Sequence, residues 1–244
     1  MAGHSKWSKV KHIKAVVDVR RARVFSRLSK EITVATRLGG ENPDFNPRLR
    51  AAVQSARDKS MPNDNIERAI KKGSGELSAA AVEEVLYEGY GSGGVAILVE
   101  AATDNRNRTA ADMRLIFSKN GGNLATSGSV AFQFHRCGEI LISVDSISEE
   151  SLLELLIEAG GEDFQRQNED DTEIYLVQTP PESLYAIAEA IRGAGVPIEN
   201  QRLSFIPETP VTPTDETVIQ SNLSLLDALE DNADVLTTHS NLAR

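Results

Sequence analysis

Apolar residues in the first third of the chain recur at helical spacing. A first predicted helix runs from Asp18 to Leu38, follows a flexible arm, and ends at the Gly39-Gly40 pair. Its inner face is formed by Phe25, Leu28, Ile32 and Ala35. A second helix is predicted for residues 46–59, because Asn46 can cap it and Pro47 suits its first turn. Its apolar positions are Leu49, Ala52, Val53 and Ala56.

A third helix is predicted to begin at Asp64, where Glu67 completes a capping box, and to end at Gly73. Ile66, Ala69 and Ile70 form its apolar face. Three short amphipathic helices with tight connections indicate a small helical bundle. The Gly- and Ser-containing stretch 73–79 is the predicted linker between this bundle and the rest of the chain.

Beyond this linker the pattern changes to strands. Residues 83–91 and 94–103 are predicted strands joined by a glycine-rich turn. A helix comes next, and a short strand is predicted at 129–135. The inward residues of that helix are Ala110, Met113, Ile116 and Phe117.

Residues 138–206 form a complete series of their own. Strand 139–144, helix 149–159, strands around 163–168 and 173–178, helix 182–195 and strand 202–207 succeed one another. This β-α-β-β-α-β order predicts a ferredoxin-like arrangement. After a proline-rich stretch, a last helix with Ile219, Leu223 and Leu226 inward precedes a strand at 234–239.

The predicted fold is therefore an α+β multidomain protein, with an N-terminal three-helix domain followed by two α+β domains. Residues 1–76 form the basic arm and helical bundle. Because 136–207 is complete as a ferredoxin-like domain, residues 208–244 are placed with 77–135 in a discontinuous α+β domain.

Charge is distributed unevenly along the 244 residues, whose formal net charge is −10. Residues 1–75 contain 17 Lys and Arg against 7 Asp and Glu, whereas residues 76–244 contain 9 against 29. Such asymmetry indicates an anionic partner for the basic end, since the acidic remainder would repel a phosphate backbone.

The candidate nucleic-acid-binding residues lie in the basic arm and the helix that continues it. Lysine and arginine neutralise phosphates, and tryptophan offers a face on which a base can stack. Arg20, Arg23, Arg27 and Lys30 share one arc of the helix, whereas Arg21 points toward the apolar side. A solvated tail is the alternative, but the charge continues along a helix and opposes the rest of the chain. The candidates are Lys6, Trp7, Lys9, Lys11, His12, Lys14, Arg20, Arg21, Arg23 and Arg27.

A second candidate site is the segment 104–109, which places Arg106 and Arg108 at a strand-to-helix junction. Backbone N–H groups at a helix start favour anions, so a further phosphate contact is one interpretation. The alternative is that Thr103 or Asp104 caps the helix and the arginines lie in solvent. Spacing alone leaves both interpretations open.

No motif predicts an enzyme, a cofactor, a metal site or a small-molecule substrate. The glycines of "GYGSGG" (89–94) precede a strand rather than a helix, which favours a hairpin turn over a dinucleotide site. The four histidines are far apart, and the acidic run 168–173 is interpreted as a solvated hairpin tip.

Localisation and assembly are predicted from the residue types that the sequence contains. The single cysteine, Cys137, permits no internal disulfide, and no apolar stretch predicts a membrane span or a signal peptide. We therefore expect a cytoplasmic protein with no membrane partner, and a monomer because no dimerisation device is evident.

Several motifs resemble those of the YebC/PmpR family. They are "MAGHSKW", "TRLGG", "NPRLRAA", "MPNDNIERAIKKG", "YEGYGSGGVA", "TDNRNRT" and "GSVAF". The resemblance covers nearly the whole chain, is dense to about residue 135, and implies three domains. It also implies a DNA-binding transcriptional regulator, or a translation factor that acts on the ribosome at proline-rich stretches, as described for the mitochondrial relative and for bacterial members.

The family's N-terminal arm corresponds to residues 3–7 and its basic helix to residues 11–27. This chain departs from the family at Ile13, where a basic residue is usual, at Val16-Val17, and at Arg23, where glycine is common. One basic residue is lost and one is gained, so the overall positive charge is kept.

The sequence predicts a non-enzymatic nucleic-acid-binding regulator of gene expression. Phosphate contacts are abundant, but no helix combines the Asn, Gln and Arg that read bases in the major groove, which favours ribosomal RNA over promoter DNA. The alternative is a protein-interaction module that acts through the ferredoxin-like domain.

Overall fold

The computed structural model describes residues 4–77, 81–161, 163–169 and 172–243, and only the backbone of residues 4–20 and of Glu169. Helices α1 (His4–Gly39), α2 (Pro47–Asp58) and α3 (Asn63–Ser74) come first. Helix α1 begins at His4, so the prediction of a flexible arm before Asp18 was wrong. Residues 4–17 contain neither glycine nor proline, and adding a residue to an existing helix costs far less than starting a new one.

The α1–α3 bundle has the predicted apolar core. Ile32, Leu49 and Ala56 are fully buried, and Phe25 and Leu28 pack against the cluster from its edge. Asn46 caps α2 as predicted, because its Oδ1 accepts the Leu49 N–H at 3.0 Å. The amide nitrogen of Asn46 also donates to the Ala35 and Gly40 carbonyls at 2.8 Å, which ties the end of α1 to the start of α2.

Helix α3 differs from its prediction at both ends. Pro62 occupies the N-cap and no side chain caps the helix, so the predicted capping box at Asp64 was wrong. Asp64 already lies inside the first turn because the Pro62 carbonyl starts the hydrogen bonding, accepting from Asn65 and Ile66. Gly73 lies within α3 rather than in a linker, and residues 78–80 of the predicted linker lie outside the described residues.

The first sheet has the strand order β3-β1-β2-β8. Its strands are β1 (Glu83–Tyr90), β2 (Ala96–Thr103), β3 (Asn123–Leu124) and β8 (Val235–Ser240), and helix α4 (Arg106–Lys119) connects β2 to β3. Strand β8 therefore joins residues near the C-terminus to the sheet that comes after the helical bundle. Between β1 and β2, Gly93 and Gly94 have φ of 68° and 76°, so the glycine-rich motif forms the predicted turn.

The strand predicted at 129–135 was wrong. Residues 131–133 form a 3₁₀ turn, and a longer strand, β4 (Phe134–Ser143), begins only after it. The buried Glu88 carboxylate explains the difference, since it accepts the N–H groups of Gly128, Val130 and Ala131 at 2.6–2.8 Å. Burial raises the pKa of Glu88, but these hydrogen bonds outweigh that effect and the pKa lies below its usual range.

The second sheet has the predicted ferredoxin-like organisation. Strand β4 is followed by α5 (Glu149–Ala159), β5 (Asp163–Glu169), β6 (Thr172–Thr179), α6 (Leu184–Gly193) and β7 (Asn200–Pro207). The strand order is β5-β6-β4-β7 and all pairs are antiparallel. Ile140, Val177 and Leu152 belong to the core that joins this sheet to α5 and α6.

Helix α7 (Glu216–Glu230) is rotated relative to its prediction. Asn222, Leu225 and Leu229 are buried, whereas Leu223 is 41% exposed. Leucines at 223, 225, 226 and 229 lie on several sides of this helix, so their spacing alone does not define the inward face.

The chain forms two compact units. One contains α1–α4 and β3, and the other contains the ferredoxin-like elements. Residues of β1, β2, α7 and β8 contribute to both. None of the helices in the described ranges combines the length and apolarity needed to span a bilayer.

Candidate nucleic-acid interface

All ten candidates of the N-terminal region, from Lys6 to Arg27, lie on the single helix α1. The side chains of seven of them lie outside the described residues: Lys6, Trp7, Lys9, Lys11, His12, Lys14 and Arg20. The backbone of residues 4–20 accounts for about 25 Å of the length of α1, at about 1.5 Å per residue.

Arg21 has the orientation predicted for it. Its guanidinium carbon lies 5.2 Å from the centre of the Phe25 ring, at the edge of the bundle. One nitrogen of Arg21 donates to the Ser60 carbonyl at 3.5 Å, so the arginine reaches the turn after α2. Arg57 and Lys59 in that region are exposed cations that the sequence prediction did not include.

The remaining cations of the predicted arc contact residues 230–234, at and just after the end of α7. Arg23 forms an ion pair with Asp231, and Arg27 donates to the Glu230 carbonyl. Lys30 contacts the Ala233 carbonyl at 2.6 Å and the Asp234 carboxylate at 2.5 Å. Because helix C-termini attract cations, these contacts stabilise α1 against the end of α7.

Asp234 brings the two predicted sites together. Its carboxylate, which receives Lys30 from α1, also accepts Arg108 at 2.9 Å and the Thr109 hydroxyl at 2.7 Å from α4. Burial raises the pKa of Asp234, but the hydrogen bonds from Lys30, Thr109 and Arg108 outweigh this effect and hold it well below its usual range. Asp234 is only 7% exposed, and the sequence prediction did not single it out.

The start of α4 is capped by Asn105, whose side chain accepts the Arg108 N–H at 3.1 Å. The prediction of Thr103 or Asp104 as the cap was wrong, because Thr103 still belongs to β2 and its hydroxyl accepts the Asn105 N–H. The Arg106 side chain is 63% exposed, with its Nε 3.8 Å from Glu83. Arg106 is therefore the more accessible of the two arginines at this junction.

Acidic residues also take part in anchoring the bundle. Arg48 contacts Glu31 at 2.7 Å and also pairs with Glu84 at the start of β1. Burial lowers the pKa of Arg48, but the hydrogen bonds to the two carboxylates outweigh it and raise the pKa. Arg37 donates to the Val82 carbonyl at 2.7 Å. Some of the basic side chains in residues 1–75 therefore contact acceptors within the fold itself.

No group of three or more His, Cys, Asp and Glu side chains within the described ranges is arranged to hold a metal ion. Cys137 is buried, and burial together with nearby Glu139 raises the pKa of its thiol to about 12. The thiol is consequently protonated near neutral pH, which does not favour nucleophilic chemistry.

Comparison with known proteins gives matches over almost the full length. Residues 5–76 match the family described as "TACO1/YebC protein N-terminal domain", and residues 82–242 match "TACO1/YebC second and third domain". A "Probable transcriptional regulatory protein" of Persephonella marina is 50% identical over 241 residues, which is 99% of this chain and 95% of the relative. One with the same name from Aquifex aeolicus is 51% identical, covering 96% and 93%.

A solved structure has the same fold. The crystal structure of a conserved hypothetical protein, Aq1575 from Aquifex aeolicus, is similar with a TM-score of 0.85 and 48% sequence identity. The match covers 93% of this chain and 92% of that protein.

Proposed function

The chain belongs to the TACO1/YebC family, and we propose that it is a non-enzymatic regulator of gene expression that binds nucleic acid through the basic side of its N-terminal helical domain. The observation that carries this proposal is the charge segregation: 17 of the 26 Lys and Arg residues lie in residues 1–75, beside 7 of the 36 acids. A concentrated basic region in an acidic protein is an electrostatic footprint for a polyanion.

We propose that the binding surface consists of the N-terminal half of α1 and the neighbouring cations at the end of α2. Arg21 is exposed and reaches the turn after α2, beside the exposed Arg57 and Lys59. Arg23 and Arg27 contact the end of α7, so they contribute less to binding than the residues before them. Lys6, Lys9, Lys11 and Lys14 neutralise phosphates, and Trp7 stacks on a base.

The accessible Arg106 adds a second, weaker phosphate contact, whereas Arg108 acts mainly within the fold through Asp234. This division results from their contacts, since the Arg108 guanidinium already bonds two carboxylates, Asp234 at 2.9 Å and Asp104 at 3.1 Å. Removing Arg108 from those partners would leave a buried Asp234 carboxylate with fewer donors.

Ribosomal RNA is the nucleic acid that this surface fits best. Residues 4–27 contain no Asn or Gln, the side chains that read adenine in the major groove, although they hold many phosphate-binding cations. A long basic helix with a stacking tryptophan suits irregular RNA, where unpaired bases are available. We propose that the protein acts in translation, while the names of its relatives point to transcription.

The test compares ribosomal RNA with promoter duplex DNA at matched salt. We expect the full-length protein to bind ribosomes or ribosomal RNA about tenfold or more tightly than duplex DNA, and to bind duplexes without sequence preference. Tight binding to one promoter sequence, with a clear loss of affinity when its bases are mutated, would instead establish a role in transcription.

A second candidate function is protein interaction through the ferredoxin-like domain. The observation that favours it is the pair of exposed apolar side chains on α5, Leu153 and Ile157. This function is compatible with nucleic-acid binding, because it involves a different part of the chain.

A further inference from the structure

Helix α5 of the ferredoxin-like domain has two apolar sides. Leu152 and Leu156 are fully buried in the domain core, as expected for a helix that covers a sheet. Leu153 and Ile157, by contrast, are 42% and 65% exposed. They are four residues apart, so they lie on adjacent turns of one outward face.

Acidic residues line this outward face. Glu150, Glu154 and Glu158 recur at the spacing that places them beside Leu153 and Ile157, and all three are exposed. Glu149 lies 3.6 Å from Arg166, but within the described part of the chain no ion pair involves the other three glutamates. Helix α5 itself contains no Lys or Arg.

The whole domain is strongly acidic. Residues 136–207 contain 15 Asp and Glu against 4 Lys and Arg, a formal net charge of −11. The field around α5 is therefore negative, and it favours a cationic partner while it repels nucleic acid.

We propose that the outward face of α5 is a docking surface for a lysine- and arginine-rich amphipathic helix of a partner protein. Leu153 and Ile157 would pack against the partner's apolar stripe, and Glu150, Glu154 and Glu158 would pair with its flanking cations. This inference does not depend on the proposed nucleic-acid function, since α5 belongs to a different compact unit from α1.

The choice of occupant depends on charge complementarity. Nucleic acid is excluded by the negative field, and an acidic helix would face the same repulsion. An extended purely basic tail would leave Leu153 and Ile157 uncovered, whereas a helix with apolar residues at i, i+3 and i+4 covers both. Helix α5 has 11 residues, a length of about 16 Å, so three turns of partner helix are enough.

The experiment titrates the full-length protein with three synthetic 14-residue peptides and monitors fluorescence anisotropy. The first has leucines at positions i, i+3, i+4 and i+7 with lysines around them, the second has glutamates in place of the lysines, and the third keeps the lysine peptide's composition in scrambled order. At moderate salt we expect the first peptide to bind about tenfold more tightly than the scrambled peptide, and the glutamate peptide not to bind.

Variants locate the binding surface. The double variant Leu153→Ser with Ile157→Ser should bind the first peptide about tenfold more weakly. A triple variant with Glu150→Gln, Glu154→Gln and Glu158→Gln should lose a similar amount of affinity for this peptide at low salt. Leu115→Ser is the matched control, because Leu115 is 51% exposed on α4, outside this domain, and its loss should leave peptide binding unchanged. All these positions are exposed, and thermal unfolding verifies that the variants fold.

Three results would overturn the proposal. They are equal affinity for the first and the scrambled peptide, unchanged peptide affinity of the α5 double variant, or a loss of peptide affinity in Leu115→Ser as large as that in the α5 double variant. Sedimentation velocity without peptide tests whether the chain associates with a second copy of itself through this face. If the wild-type chain self-associates and Ile157→Ser abolishes this, the face is a contact between copies rather than a partner site. Binding of the same variants to ribosomal RNA should be unchanged, which separates this test from that of the proposed function.

Discussion

Asp234 shows how one buried side chain can join elements that are far apart in the sequence. It accepts Lys30 from α1 together with Arg108 and Thr109 from α4, while its own backbone carbonyl accepts the Ala102 N–H in β2. A buried carboxylate with several donors stabilises a fold only while all partners are present. Asp234 therefore fixes the position of α1 relative to the first sheet.

Replacing Asp234 by asparagine should be strongly destabilising. Asp234→Asn removes the charge that compensates Lys30 and Arg108, so we expect the free energy of unfolding to fall by about 2–3 kcal/mol. Asp231→Asn is the control, because the Asp231 side chain is 63% exposed and its ion pair with Arg23 is worth at most about 1 kcal/mol. Urea denaturation measures both, and equal effects would show that Asp234 has no special role.

The lowered pKa of Asp234 also predicts a pH dependence. Because its pKa is lower in the folded than in the unfolded chain, its stabilising contribution is fully present above the unfolded value of about 3.9 and is lost as the pH falls toward the folded value. Stability should decline more steeply on acidification in the wild type than in Asp234→Asn. Parallel stability curves for the two proteins below pH 5 would contradict this expectation.

Residue-level features with local causes could be predicted from the sequence. The Asn46 cap and the positive φ values of Gly93 and Gly94 depend on neighbours within a few residues. The role of Asp234 could not be predicted, because it depends on a lysine 204 residues away. Nothing in the local sequence around Asp234 distinguishes it from an acid in a solvated loop.

At the scale of elements, the crossing of α1 and α3 depends on Gly73. An added Cβ at Gly73 would lie 2.5 Å from the Thr33 carbonyl oxygen and 2.6 Å from the Thr36 Cβ, both on α1. Such contacts are shorter than van der Waals distances, so a side chain would force the helices apart. The glycine permits close backbone approach at the cost of helix propensity.

Gly73→Ala should therefore destabilise the bundle despite the better helix propensity of alanine. We expect the clash to lower the free energy of unfolding by about 1–3 kcal/mol, while the better helix propensity of alanine raises it by about 1 kcal/mol. Gly193→Ala in α6 is the matched control, since no atom lies within 4 Å of its added Cβ, and it should be neutral or slightly stabilising. Thermal unfolding of both variants measures the difference, and a Gly73→Ala protein as stable as Gly193→Ala would refute this explanation of the crossing.

Elements with one clear periodicity matched their predictions, and elements with competing signals did not. Helix α5 has the predicted bounds because its core leucines are flanked by Ser148 at the start and Gly160 at the end. The predicted strand at 129–135 failed because a distant carboxylate, Glu88, binds the backbone that a neighbouring strand would otherwise pair with. Helix α7 exists as predicted, but its inward face was predicted wrongly because leucines occur on several of its sides.

At the scale of the whole molecule, the candidate interface is a prediction that rests on the distribution of charge along the chain. A basic first third in an acidic chain indicates a polyanion partner without knowledge of any contact. Charge could not reveal that Arg23, Arg27 and Lys30 contact the end of α7. These contacts of Arg23, Arg27 and Lys30 within the fold are visible only in the three-dimensional structure.

Nucleic-acid binding by α1 is tested most directly by neutralising the lysines in its first turns. A variant with four substitutions, Lys6→Gln, Lys9→Gln, Lys11→Gln and Lys14→Gln, is compared with a control that loses the same charge at exposed positions after residue 75. The control substitutions are Arg114→Gln, Lys119→Gln, Arg136→Gln and Arg192→Gln. Affinity for ribosomal RNA is measured for both as a function of salt concentration.

We expect the α1 variant to bind roughly a hundredfold more weakly at physiological salt, with the slope of log K against log[salt] reduced by about 3, because about four phosphate contacts are lost. The control should bind like the wild type. Two results would contradict the proposal that the basic N-terminal helix binds nucleic acid. One is an α1 variant with unchanged affinity and salt slope, and the other is a control variant that loses as much affinity for ribosomal RNA as the α1 variant.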